Sequence, residues 1–193
     1  MISAILLAAG QSKRMQSENK LLKKYKKKHL INHILKSLIK SKVNKIIVVL
    51  GHENRKIKKI SLKSKKITFV FKSQYLKGIS TSIKCGLKKI SKKNIGFLIA
   101  HADMPLISKK ILNTLCSGLK NSKKEIFVPV YNKKVGNPLA FKYSMIKSLK
   151  KIKGDRGAKK LIRSNKSKVQ LVKMKSKSIL IDFDRLKDFP STT

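Results

Sequence analysis

Acidic residues are scarce in this chain: eight Asp and Glu stand against 49 Lys and Arg, a formal net charge of +41. Each carboxylate position is therefore informative, and Asp103, Asp182 and Asp184 draw attention because they sit at the ends of apolar runs. Cysteine is nearly missing. Cys85 and Cys116 lie far apart with no metal-type spacing, which argues against a thiolate metal site or a disulfide framework and suits a reducing, cytoplasmic setting. Long hydrophobic runs are absent too: Ile46 to Leu50 and Gly96 to Ala100 are far too short to span a bilayer, so no membrane partner is expected. No leader-type pattern opens the chain. Neither a Pro/Ser/Gly linker nor an internal repeat divides the sequence, and 193 residues suit a single domain over 1–193.

What is abundant is lysine. A nucleic-acid binder uses such charge to displace counterions from phosphates, and it gathers Arg and Lys on one face with aromatics interleaved. Here only five of the cations are arginine and the lysines fill every segment between apolar runs, the pattern of a solvated surface. No specific nucleic-acid partner is expected, although polyanions should adhere at low salt.

Short β-type runs alternate with helix-type stretches. Ile2 to Ala8, Lys45 to Leu50, Ile67 to Phe71 and Ile95 to Ala100 are each followed by a periodic segment: Leu30 to Ile39, Glu53 to Leu62, Ile79 to Ile90 and Ser108 to Leu119. Strands joined by helical crossovers predict a mostly parallel sheet with helices on both faces. The rhythm then changes. Ile126 to Val130, Pro138 to Phe141, Val169 to Val172 and Ile179 to Ile181 are separated by two short helical stretches, which predicts a mixed, partly antiparallel second half.

In open α/β sheets, ligands sit beyond the carboxyl ends of the strands. Ala8, Ala9 and Gly10 end the first strand with little side chain, Arg14 can pair with phosphate oxygens, and Lys20 can add a point charge. This suits a polyphosphate, or else an ordinary turn with solvated cations; it is neither a Walker A loop nor a GxGxxG turn. Asp103 closely follows the Ile95 to Ala100 run, with Ser108 placed to cap the next helix. Its carboxylate can cap a turn or face a divalent cation that holds phosphates. Asp182 and Asp184 share one side of an extended segment, and two carboxylate sources far apart in the chain match what Mg²⁺ shared with a triphosphate needs. His101 has no His or Cys partner at a metal spacing and reads as packing or polar lining. The Gly78, Ser80, Thr81 and Ser82 cluster opens a helix with hydroxyls that either cap it or touch a base or ribose. The segments carrying Gly136, Asn137 and Pro138, and Asp155 and Arg156, are turn-rich and polar.

LLAAGQSKRM, NKLL, KGISTSIKCGL, ADMPLIS, GNPLAF and GDRGAKKLI occur in an order and spacing that resembles the molybdenum cofactor cytidylyltransferase branch of the nucleotidyltransferase family, across roughly residues 2 to 188. The resemblance implies a Rossmann-like nucleotidyltransferase fold and transfer of a nucleoside monophosphate to a phosphate-bearing acceptor with release of pyrophosphate. By resemblance, Ala8, Ala9, Gly10, Arg14 and Lys20 hold the triphosphate, Gly78, Ser80, Thr81 and Ser82 lie near base and ribose, and Asp103 and Asp184 hold Mg²⁺. Arg14, Lys20 and Asp103 form the catalytic set, with Gly136, Asn137, Pro138, Asp155 and Arg156 on the acceptor side. The first motif lacks the second glycine of GTP-using members, which implies CTP, with molybdopterin as acceptor and a molybdoenzyme as eventual recipient. Two departures stand out. Gln16 replaces a glycine that usually follows Arg-Met, and the tail reads Asp182-Phe-Asp184-Arg-Leu-Lys-Asp188 where the family usually has Asp-Ile-Asp-Thr-Pro-Glu-Asp. Rival readings are a sugar- or polyol-phosphate acceptor and a non-catalytic carrier of the molybdenum cofactor.

Overall fold

Strand β1 (Ile2–Ala8) is apolar at every position but Ser3. In the computed structural model, which describes residues 1–12, 14–15, 19–73, 78–154 and 157–189, it is buried along its whole length near the middle of the main sheet. It runs parallel to β4 (Lys45–Leu50) on one side and β6 (Gly96–His101) on the other, and β4 is parallel to β5 (Ile67–Phe71). A small antiparallel hairpin, β2 (Lys24–Tyr25) and β3 (Lys28–His29), precedes helix α1 (Leu30–Ile39). Helices α2 (Asn54–Ile60) and α3 (Gly78–Leu87) follow β4 and β5. A strand buried on both faces must be apolar at odd and even positions alike. Here Ala4, Leu6 and Ala8 join the core with α1 and α4 (Lys109–Asn121), while Ile5 and Leu7 meet α3 on the opposite face.

Beyond α4 the sheet becomes mixed, as the sequence predicts. β7 (Ile126–Tyr131) forms a hairpin with β8 (Lys134–Val135), and β9 (Leu139–Lys142) inserts antiparallel between β6 and β7. Helices α5 (Ile146–Lys150) and α6 (Gly157–Ser164) then lead to β10 (Val169–Lys173), parallel to β7 at the sheet edge. The order is β10-β7-β9-β6-β1-β4-β5, with β8 paired to β7. Ser108 caps α4 as expected, its side chain accepting from the Ile111 amide.

One sequence expectation is corrected. Ile179 to Ile181 is not a strand; Lys177–Leu180 is a 3₁₀ turn whose Ile179 is fully buried. Its carbonyl is taken by the Asn137 amide at 2.9 Å, against Gly136, so this segment packs on the connection between β8 and β9 instead of joining the ladder. In the lysine-rich Lys23 to Lys28 stretch, Lys26 and Lys27 adopt positive φ of 46° and 62° and close the β2–β3 hairpin. Among the described residues, no helix is long and apolar enough to cross a membrane.

Candidate active site

The carboxyl ends of β1 and β6 open into a cleft of about 760 Å³. Ala8, Ala9, Gly10, Arg14 and Lys20 line it from the β1 loop, Gly78, Ile79 and Ser82 from the start of α3, and His101, Ala102 and Asp103 from the end of β6. Asp184 arrives from the tail. The cleft therefore lies at the sheet edge where α/β folds hold ligands.

The β1 loop is shaped by its own polar residues. Ser12 takes φ 55°, its hydroxyl donates to Asn19 Oδ1 and accepts from the Lys20 amide, and Asn19 Oδ1 also accepts from the Leu21 amide. With Met15 and Leu21 buried beneath it, this knot fixes where Lys20 leaves the backbone. Gly10 is different. A Cβ built there meets nothing within 4 Å, so packing does not demand a glycine; what it leaves is open space on the cleft wall. Gly78, by contrast, holds φ 76°, a left-handed conformation that favours glycine.

Lys20 Nζ lies 2.5 Å from Asp103 Oδ2 and 2.5 Å from Asp184 Oδ1, and Arg14 Nη1 donates to Asp184 Oδ2 at 2.7 Å. Burial alone would pull the Lys20 pKa down, but the carboxylates of Asp103 and Asp184 outweigh it and the ammonium titrates above its ordinary 10.5. Asp182 joins the group: one oxygen each of Asp103, Asp182 and Asp184 lies within 4.8 Å of the others. Burial, then the carboxylates of Asp184 and Asp103, raise the Asp182 pKa above 3.8. Desolvation holds His101 below its ordinary 6.5, leaving a neutral ring in the cleft wall near pH 7. Asp103 Oδ1 is buried and, among the described residues, has no hydrogen-bond partner. A buried carboxylate oxygen without a proton donor, beside two further carboxylates, is an all-oxygen donor set suited to Mg²⁺ or Mn²⁺.

The tail is anchored so that its carboxylates face the cleft. The Phe183 amide donates to the Asp103 carbonyl at 2.9 Å, and the Phe183 ring is buried with Tyr25 and Phe189 at centroid distances of 5.0 and 5.2 Å. Asp188 Oδ2 accepts from the amides of Asp184 and Arg185, both at 2.7 Å. Those amides hold its carboxyl below the ordinary 3.8.

The structure thus brings together Ala8, Ala9, Gly10, Arg14, Lys20, Gly78, Ser82, Asp103 and Asp184. Ser80 is buried within α3, and the Thr81 hydroxyl donates to the Gly78 carbonyl at 2.7 Å. Gly136, Asn137 and Pro138 are not among the cleft-lining residues; Gly136 lies where a Cβ would sit 2.3 Å from the Ile179 carbonyl oxygen, under the segment that leads to the tail carboxylates. Asp155, Arg156 and Gln16 lie outside the described residues. One residue escaped sequence reasoning altogether. Lys72, buried after β5, donates to the Gly78 carbonyl and to Ser82 Oγ, each at 3.0 Å, and so braces the α3 wall; among so many lysines nothing marks it.

With that geometry in place, comparison with known proteins gives the class. The family model described as MobA-like NTP transferase domain matches residues 4–170, and the chain belongs to that family. That family is one of NTP transferase domains. A probable molybdenum cofactor guanylyltransferase of Natranaerobius thermophilus is 34% identical over 131 residues, 67% of this chain and 60% of that protein. The bifunctional protein GlmU of Clostridium tetani is 36% identical over 115 residues, 58% of this chain and 24% of that protein. The chain therefore spans less than two thirds of either relative. Among solved structures, Rv0371c of Mycobacterium tuberculosis superposes with a TM-score of 0.86 at 23% identity, covering 97% of this chain and 94% of that one. A further structure of Rv0371c is a complex with manganese, at a TM-score of 0.79 and 22% identity, covering 97% and 95% of the two chains. The 4-diphosphocytidyl-2C-methyl-D-erythritol synthase of Anaerococcus prevotii reaches 0.76 at 19% identity, over 97% and 92%. At these identities the structures establish the fold.

Proposed function

We propose that the chain transfers CMP from CTP to molybdopterin, or to its molybdenum-bound form, in a Mg²⁺-dependent reaction that releases pyrophosphate. The carrying observation is the convergence of Lys20, Arg14, Asp103 and Asp184 on one cleft at the ends of β1 and β6.

In this reading Arg14 and Lys20 hold the triphosphate, with the backbone of Ala8 to Gly10 against it, while Ser82 and the start of α3 face the base and ribose. An oxygen of the acceptor phosphate forms a bond to the α-phosphorus as the bond from that phosphorus to the bridging oxygen breaks, and pyrophosphate leaves with that oxygen. The attacking phosphate is already an anion, so no general base is required; positioning and charge stabilisation carry the reaction. Asp103 and Asp184 would hold Mg²⁺, with Asp182 beside them, and the ion when bound supplies countercharge to the phosphates. Gly136 to Pro138 and Asp155 with Arg156 remain proposed for the acceptor side. A cytoplasmic setting and hand-over to a molybdoenzyme complete the reading.

The short Ala8-Ala9-Gly10 motif supports CTP. The relative from Natranaerobius thermophilus instead supports GTP on the same acceptor, and the fold shared with the Anaerococcus prevotii synthase supports a polyol phosphate as acceptor. Thermal unfolding at moderately high salt with Mg²⁺ and each of CTP, GTP, ATP and UTP separates the nucleotides. A ligand at 100 times its Kd adds about 2.7 kcal/mol to the folded state. A shift confined to CTP and dependent on Mg²⁺ supports the proposal; one confined to GTP replaces the cytidylyl reading. Small equal shifts without metal dependence favour a non-catalytic cofactor carrier.

A further inference from the structure

We propose that Lys20 is an exchangeable counter-ion, occupying the carboxylate oxygens that a divalent cation needs and yielding them when a polyphosphate offers the ammonium another partner. The inference rests on Asp103 and Asp184 forming the metal site.

Lone pairs on the carboxylates set the competition. Lys20 Nζ bridges Asp103 Oδ2 and Asp184 Oδ1, and Arg14 covers Asp184 Oδ2. Of the four oxygens in this pair of carboxylates, only Asp103 Oδ1 is without a donor among the described residues. A divalent cation placed between Asp103 and Asp184 must share or displace the ammonium, because an N–H and a metal compete for the same lone pairs and the two cations repel. Arg14, with two thirds of its side chain exposed, can swing away into water. Lys20 cannot do so cheaply: its side chain is 13% exposed, and leaving both carboxylates strands a largely buried charge. A polyphosphate entering the same cleft removes that cost by accepting the ammonium. Each ligand thereby releases the group the other requires, and by linkage the coupling is reciprocal.

The same bridge offsets the crowding of three carboxylates: one buried ammonium neutralises part of their repulsion. The consequence is a site that takes up little free cation and fills when nucleotide is present.

Mn²⁺ binding followed by the electron paramagnetic resonance signal of free Mn²⁺ tests this without any turnover. The proteins are wild type, Lys20→Met, Lys20→Gln, Lys20→Arg, Asp103→Asn and Lys88→Met, the last an exposed lysine that controls for loss of one charge. Without nucleotide, Lys20→Met and Lys20→Gln should bind Mn²⁺ roughly 5- to 150-fold more tightly than wild type, the usual span of a coupling between two ligands. Lys20→Arg and Lys88→Met should bind as wild type does. Corrected for Mn²⁺ bound to free nucleotide, CTP should tighten the wild-type site and tighten that of Lys20→Met less. Wild type and both Lys20 variants binding Mn²⁺ equally, with binding lost in Asp103→Asn, would overturn the counter-ion exchange and leave the metal site standing. Asp103→Asn binding as tightly as wild type, or no variant binding at all, would overturn the metal site itself.

Discussion

Asp103 carries more of the proposed chemistry than any other residue, because it meets Lys20, faces the tail carboxylates and keeps one buried oxygen without a proton donor. Asp103→Ala is expected to abolish turnover while thermal unfolding stays cooperative; normal turnover in that variant would remove it from the site. Gly10→Ala makes the complementary case. Since nothing in the protein lies within 4 Å of the added Cβ, stability should hold within about 0.5 kcal/mol. A methyl group against the triphosphate should nevertheless weaken CTP binding roughly tenfold, about 1.4 kcal/mol, in a calorimetric titration; unchanged affinity would place the phosphates elsewhere. Asp188 supplies a pH signature. Its folded pKa lies below the ordinary 3.8, so the stabilisation it brings to the tail is present above that value and lost as pH falls through the folded one. Asp188→Asn should flatten the acid limb of the stability curve below about pH 4, where the unfolded carboxyl titrates. An unaltered acid limb would show that Asp188 does not hold the tail.

At the scale of elements, the site is a meeting of three pieces: the β1 loop, the end of β6 and the tail. The first two were legible in the sequence. An apolar run ending in small residues and then cations suited either a polyphosphate or an ordinary turn, and the structure brings that loop to the same cleft as Asp103, which follows the β6 run. The tail was legible only in part. The alternation of Asp182, Phe183 and Asp184 correctly put the two carboxylates on one side, but the preceding Ile179 segment folds as a 3₁₀ turn, because its carbonyl bonds to the Asn137 amide and no ladder partner is offered. Local pattern cannot reveal a partner so distant in the chain. Lys72 was invisible for another reason: burial, not residue type, distinguishes it from the exposed lysines. Gly136 gives the element-scale test. Its missing side chain admits the Ile179 carbonyl, so Gly136→Ala should cost about 1–3 kcal/mol by overpacking and shift the tail that carries Asp184. Chemical denaturation reads the first effect and Mn²⁺ affinity the second; wild-type values for both would detach the GNPLAF segment from the site.

For the whole molecule, the +41 charge and the cleft are separable by salt. Cations spread over a solvated surface are screened within about 8 Å at physiological ionic strength and less at higher salt. Binding of a nonspecific polyanion such as heparin should therefore fall steeply with salt, whereas the nucleotide shift, set by partly buried groups, should persist. Parallel loss of both would make the cleft merely part of the basic surface. The alternation of strands and helices made the parallel half of the sheet readable from sequence, while the insertion of β9 between β6 and β7 required the structure, since strand order across a sheet is not a property of any one segment. The most direct test of the central claim is pyrophosphate release with Mg²⁺, molybdopterin and each nucleotide in turn, with the product identified by mass. Stoichiometric pyrophosphate and a cytidylylated pterin are expected with CTP, and neither with Asp103→Ala. Failure of every nucleotide to release pyrophosphate, or an undiminished rate in Asp103→Ala, would contradict it.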